Sequence, residues 1–323
     1  MKKRYVLSWI LSIALIAYIL YSADLVKVAQ TISRIDMRIW LLVCGVYLFG
    51  FVFRAIRSQW IVRPISKLGF LESFHLVNIG FLANNILPAR LGEFVRAYAL
   101  AKRKAIGKLQ ALSTILVERL LDGIILLAGF AIAVVWTASK AVQSYSIYLI
   151  IPVILFALAM LFLAFPEKFY KLFFPLLKKF PFKERKIRKR FNDIVAGGKV
   201  FRTGWKENAK VWASSALVWA IEVALFGGMC YVLGIYLTLP EALLLATFVG
   251  LSTLIPSAPG FLGTYEAAFV IVLTGLGFPA DQAVAAAFVT HFSQYIIIAV
   301  LGMLALHGLG LNFKNLSESE GKK

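Results

Sequence analysis

Leu82-Ala83-Asn84-Asn85-Ile86-Leu87-Pro88-Ala89-Arg90-Leu91-Gly92-Glu93 interrupts an otherwise apolar run from about 70 to 100. A second run, about 241–274, is interrupted in the same way by Leu251-Ser252-Thr253-Leu254-Ile255-Pro256-Ser257-Ala258-Pro259-Gly260-Phe261-Leu262-Gly263-Thr264. Proline removes a helix hydrogen bond and restricts the residue before it. Each run therefore reads as two half-helices joined by a break. Within a bilayer, such backbone is tolerated only where protein or a wet cavity covers it. Both are expected to be re-entrant hairpins.

The rest of the chain supports a membrane setting. Of its 323 residues, 60% are hydrophobic and only 16% charged. A soluble domain is about 45–50% apolar and about 25% charged, so one soluble core could not hide this much apolar surface. Crossing a bilayer takes roughly 20 apolar residues in a helix, and six stretches supply them: 5–22, 38–56, 109–137, 146–165, 209–233 and 283–307. The first is too long for a signal-peptide core and lacks a small-residue cleavage site, so it reads as an uncleaved span. The expected fold is an all-α polytopic membrane protein, a single transmembrane domain over 1–323 with six full spans and two re-entrant hairpins. Cys44 and Cys230 lie in apolar runs and read as buried thiols; neither they nor His75, His291 and His307 show metal-ligand spacing, so no metal site is expected.

Lys and Arg number 35 against 16 Asp and Glu, a net charge of +19. Positive charge favours cytoplasmic loops. Lys2, Lys3 and Arg4 place the N-terminus inside, and Arg57, Arg63 and Lys67 mark the first return. If 70–100 is a hairpin, Lys102, Arg103, Lys104 and Lys108 are also inside. The loop 166–210 holds 14 Lys/Arg against four acids and again falls inside, as do Lys314, Lys322 and Lys323. Outer loops carry only Lys140 or, over 275–282, only Asp281. The basic run Lys183–Arg190 is then a topology and anionic-lipid signal, and no nucleic-acid partner is expected. Residues 167–180 (Phe169, Phe173, Phe174, Leu177, Phe180) should lie along the inner surface. Residues 24–36 should lie along the outer one, with Leu25, Val28, Ala29, Ile32 and Ile35 on one face.

The two breaks resemble each other. Asn84-Asn85-Ile86-Leu87-Pro88 matches Ser252-Thr253-Leu254-Ile255-Pro256 at an offset of 168, and Pro88-x-x-Leu91-Gly92 matches Pro259-x-x-Leu262-Gly263 at 171. An offset of 171 also carries 38–56 onto 209–227 and 109–137 onto 280–308. The chain thus reads as span, span, hairpin, span, twice over (repeat one 1–137, repeat two 146–307). Three crossings per unit make the second copy inverted. Inverted repeats with paired broken helices point to a transporter whose site lies where the breaks meet; an old duplication kept for packing is the plainer alternative.

Charges at membrane depth are costly and normally face a cavity or a partner. Arg90, Glu93 and Arg96 follow the first break at spacings of three. Glu118, Arg119 and Asp122 share a helix face in the next span. Three arginines and three acids suit a buried ion-pair network, structural or functional. Arg90 opens a half-helix, where free N–H groups favour an anion, and guanidinium forks match phosphate. Arg90 and Arg96 are therefore candidate headgroup ligands, with Asn84 and Asn85 as supplementary contacts. The second unit offers Glu222, Glu266 and His291 at depth, with Pro259, Gly260 and Gly263 at its break. Its acids suit a cationic group or a coupling proton, and its glycines serve backbone geometry equally well.

Asn85-x-x-Pro88-x-Arg90-x-Gly92-Glu93-x-x-Arg96, Glu118-Arg119-x-x-Asp122 and Pro259-Gly260-x-x-Gly263-x-x-Glu266 occur in that order. Together they resemble the flippase-like transmembrane family of lysylphosphatidylglycerol synthases, the membrane half of the multiple peptide resistance factor, here as a stand-alone form over about 5–307. The resemblance implies movement of a phospholipid, glycolipid or polyprenyl-linked lipid between leaflets of the cell membrane, with both termini cytoplasmic. The soluble aminoacyl-transfer domain of the full synthases is absent from this chain, so no lysine-transferring activity is expected.

No ATP-binding P-loop is visible and no cofactor is expected, so any drive would come from ions, potential or the lipid gradient. Two rival classes remain. An intramembrane lipid-modifying enzyme could use Glu93, Glu118 or Asp122 as acid or base, although no nucleophile is paired with a histidine and no enzyme activity is expected. A scaffold could recruit a lipid synthase or glycosyltransferase through 166–210. The oligomeric state is open.

Overall fold

A computed structural model describes residues 2–88, 90–136, 165–177, 184–255 and 257–310, with isolated residues between 154 and 163. Most of the span expected at 146–165, together with Ala89, Lys140, Pro256, Lys314, Lys322 and Lys323, lies outside the described residues, as do the side chains of Phe173, Phe174, Leu177 and Phe180. The described elements are helical: α1 Lys2–Tyr21, α2 Leu25–Ser33, α3 Met37–Val62, α4 Phe70–Ile86, α5 Leu91–Lys104, α6 Lys108–Trp136, α7 Pro166–Leu177, α8 Glu184–Ile194, a 3₁₀ turn at Gly197–Arg202, α9 Trp205–Val232, α10 Leu239–Ser252, a 3₁₀ turn at Pro259–Phe261, α11 Thr264–Gly275 and α12 Ala280–Gly308.

Among the described residues, four helices, α3, α6, α9 and α12, are long and apolar enough to cross a membrane; the bent pair α1–α2 would make a fifth. The bend is 84°. Asp24 causes it locally: its carboxylate accepts the Val26 and Lys27 N–H groups at 3.0 and 3.4 Å and starts a new helix. Asp36 starts α3 in the same way through Arg38 and Ile39. On α2, Val28 is buried while Leu25 and Val26 are exposed.

One expectation is corrected. Arg57 was read as a cytoplasmic loop charge, yet α3 runs on to Val62 and Arg57 is 1% exposed inside the bundle. The charge looked like the end of a span because its partners come from distant helices.

Both breaks form as the prolines demand. Leu87 before Pro88 and Ala258 before Pro259 are extended. Arg90, which opens α5, and Phe261, its counterpart, both adopt positive φ, 58° and 65°. Left-handed backbone costs a non-glycine residue on the order of 1–3 kcal/mol and persists where surroundings impose it.

The packing has a two-fold pattern. Exchanging α3 with α9, α4 with α10, α5 with α11 and α6 with α12 converts each main contact into another. The α4–α12 contact becomes α10–α6, α5–α6 becomes α11–α12, α3–α6 becomes α9–α12, and α3–α9 maps onto itself. Buried Tyr47, Phe51, Phe226, Met229, Leu245 and Phe269 fill the core shared by the two halves. Large apolar side chains such as Leu42, Phe49, Val135, Ile271, Phe292 and Leu304 point outward, a surface suited to lipid.

The first hairpin closes on Gly92. Its N–H donates to the Asn84 side-chain oxygen at 2.8 Å, and a Cβ there would run into the Gly80 carbonyl and the Asn84 backbone. At the hairpin's other end, burial would raise the Glu72 carboxyl, but hydrogen bonds from Lys104 and Arg103 outweigh it and hold the group below its ordinary value. Gly92→Ala is expected to cost about 3 kcal/mol through overpacking, read as a shifted denaturant midpoint in detergent. Gly45→Ala, where a Cβ meets nothing, should leave that midpoint in place or raise it. Equal midpoints for wild type and Gly92→Ala would refute the close approach.

Candidate functional site

The two breaks meet. Arg90 donates to the Thr253 hydroxyl at 2.5 Å, and its guanidinium lies 5.5 Å from the Phe261 ring. The Tyr295 hydroxyl, from α12, faces the Pro259 carbonyl at 3.0 Å and the Asn85 carbonyl at 3.4 Å. One hydroxyl therefore ties the end of α4 to the second break.

Beside this junction lies a cavity with about 160 Å³ open to the centres of water molecules. That is well above the roughly 10–15 Å³ a single water needs, so several fit. Asn84, Asn85, Arg90, Glu93, Arg119, Asp122, Glu222, Gly260 and His291 reach its wall. Arg96, Glu118, Pro259, Gly263 and Glu266 do not. Arg96 instead donates through both terminal nitrogens to Glu118, at 2.6 and 2.8 Å, and to the Ser58 hydroxyl at 2.7 Å. That fork joins α5 to α6 and α3.

Arginines on α3 extend the network. Arg57 pairs with Asp122 and lies 3.8 Å from Glu118. Asp122 also accepts from the Trp219 indole at 3.0 Å and lies 3.3 Å from Arg119. Glu93 lies 3.8 Å from Arg90 and 3.6 Å from Arg119. Arg54 pairs with Glu222, which also accepts from Gln294 at 3.3 Å; Tyr265 in turn donates to Gln294 at 2.7 Å. In this network five arginines (54, 57, 90, 96, 119) face four carboxylates (93, 118, 122, 222), an excess of one positive charge.

Burial makes the unpaired groups informative. A buried polar atom without a partner forfeits its desolvation cost, about 1–3 kcal/mol and more for a charged group. Among the described residues, three such atoms belong to residues that line the cavity: Arg54 Nη1, Asn85 Nδ2 and Arg90 Nε, whereas Arg119 Nε has Glu93 3.6 Å away. All three are donors.

Sequence reading missed Arg54, Arg57, Thr253, Phe261, Trp219, Gln294 and Tyr295. Two of them carried a signal: Arg54 and Arg57 are three apart within an apolar helix.

Comparison with known proteins identifies the family. The sequence pattern of the lysylphosphatidylglycerol synthase TM region matches residues 5–302. The UPF0104 membrane protein MJ1595 of Methanocaldococcus jannaschii is 24% identical over 320 residues, covering 93% of this chain and 92% of that protein. No solved structure matches. Several apolar helices of spanning length and a family match over nearly the whole chain lead to one conclusion: this is a multi-pass membrane protein belonging to the lysylphosphatidylglycerol synthase TM family.

Proposed function

We propose that the protein moves an anionic lipid between leaflets, taking the head into the cavity between the breaks while the tails stay in the bilayer. The observation that carries this reading is the cavity beside the meeting point of the two breaks, lined by the charged residues Arg54, Arg90 and Arg119 and by Asn84 and Asn85. A phosphate head supplies acceptor oxygens onto which guanidinium groups can fork. The arginines of the wall, Arg54, Arg90 and Arg119, are matched there by Glu93, Asp122 and Glu222, so a head with one negative charge, a phosphodiester, upsets the balance less than a phosphomonoester carrying about −1.5 to −2.

The two-fold exchange of helix contacts supports an inverted repeat of two three-span units, each with a re-entrant hairpin. The lysines and arginines of 166–210 support cytoplasmic termini in the cell membrane. Rocking of one unit against the other would open the cavity to each leaflet in turn.

Proteoliposomes carrying head-labelled lipids test the reading. Transbilayer movement should exceed that of protein-free vesicles, with phosphodiester lipids faster than phosphomonoesters. Equal movement with and without protein across phospholipids, glycolipids and polyprenyl phospholipids would defeat it. A chemically altered lipid in the recovered extract would favour an enzyme instead.

A further inference from the structure

His291 stands between two acceptors. Its Nε2 lies 2.9 Å from the Gly260 carbonyl oxygen, which can only accept, so Nε2 carries hydrogen. Its Nδ1 lies 2.6 Å from Glu266 Oε1. The other Glu266 oxygen already accepts the Gly263 N–H at 2.7 Å. A proton must occupy the Nδ1–Oε1 line, carried either by the imidazole or by the carboxyl. In both arrangements the pair is neutral and holds one proton more than a neutral imidazole beside a carboxylate. Glu266 is 1% exposed and His291 6%, but His291 and Gly260 reach the cavity wall.

We propose that Glu266 and His291 form a proton-binding site that couples proton movement to lipid movement in the same direction, an inference that rests on the lipid-translocation reading. Two consequences of losing the proton support the coupling. One is electrostatic: the pair becomes −1 beside a cavity suited to an anion, which weakens anion binding, and by linkage the anion raises proton affinity equally. The other is mechanical. With one N–H left for two acceptors, either Glu266 or the Gly260 carbonyl faces a bare ring nitrogen. The Gly260 carbonyl belongs to the left-handed turn that holds Phe261 against Arg90, so deprotonation loosens the junction between the breaks.

The surrounding groups leave this pair to carry the proton. Tyr265 of α11 stacks on the His291 ring at 4.0 Å, and the Tyr295 ring of α12 lies at 5.2 Å. From α9, Glu222 is already paired with Arg54 of α3, while Cys230 of α9 and Tyr47 of α3 share the buried core with Tyr265. The first break contributes Arg90 through Phe261, α4 contributes the Asn85 carbonyl through Tyr295, and α1 contributes Ser12, which accepts the Ala258 N–H. The only titratable side chain of α10, Glu241, caps its own first turn.

Protein labelled with ¹⁵N-histidine in lipid nanodiscs gives the first test. The chain has three histidines, and His75→Asn with His307→Asn isolates the His291 signal. Both His291 ring nitrogens should report a bonded or shared proton, where a neutral imidazole beside a carboxylate leaves one bare. A His291 ring nitrogen with neither a proton nor a hydrogen bond would overturn the proposal.

The second test uses proteoliposomes with a labelled phosphatidylglycerol and an imposed pH gradient. One pH unit should shift the steady-state leaflet ratio about tenfold for one proton per lipid. Glu266→Gln and His291→Gln should reduce that shift to none. Lipid movement indifferent to the gradient in wild type overturns the coupling alone; no movement at all overturns the translocation reading and the coupling together.

Discussion

Replacing Glu118 by alanine is expected to destabilise the protein by about 3–5 kcal/mol, the cost of leaving a buried partner charge uncompensated. Glu118 is 1% exposed and receives both forks of Arg96, with Arg57 3.8 Å away. Its removal strands the Arg96 guanidinium among apolar helices and leaves Arg57 with Asp122 alone. Unfolding in detergent micelles would read the loss as a lowered denaturant midpoint. A double variant, Arg96→Met with Glu118→Met, should recover part of it, because apolar replacement of a buried pair is often neutral. Recovery should be incomplete, since Arg57 keeps only Asp122. A loss below about 1 kcal/mol for Glu118→Ala would mean that the network contributes little to folding.

Arg90→Gly should do the reverse: leave folding nearly intact and remove transport. Arg90 sits at φ 58°, a conformation glycine adopts freely. The strain relieved offsets the lost contacts with Thr253 and Phe261, so stability should change by no more than about 1 kcal/mol. The cavity, however, loses a charged donor. A hydrogen bond to a charged group contributes about 1.5–3 kcal/mol, so lipid movement in proteoliposomes should fall roughly 10- to 150-fold. Full movement by a well-folded Arg90→Gly protein would remove Arg90 from the binding machinery.

Local chemistry made some of this legible from sequence, and pairing across the chain hid the rest. Pro88 and Pro259 announced the breaks because their effect on the preceding residue acts over one peptide bond. Glu118, Arg119 and Asp122 could be grouped because helical spacing alone puts them on one face. Nothing local signalled that Arg54 meets Glu222, 168 residues on, or that Arg90 meets Thr253, 163 residues on. For the same reason Arg96 read as a second ligand: its position in α5 was clear, but not the carboxylate that occupies both its forks. Tyr295 looked like one aromatic among many, and its role depends on two backbone carbonyls brought together by the fold.

The two halves match in outline and differ in how they are fastened. In the first, Arg96, Glu118, Arg57 and Asp122 rivet α3, α5 and α6 into one block. The corresponding helices of the second half are joined by stacked rings, a glutamine and one histidine–glutamate contact. A machine assembled from a stiff jaw and a supple one does not share its motion evenly. In the proposed rocking motion the stiff jaw would serve as anvil, and the stroke would belong to α10 and α11.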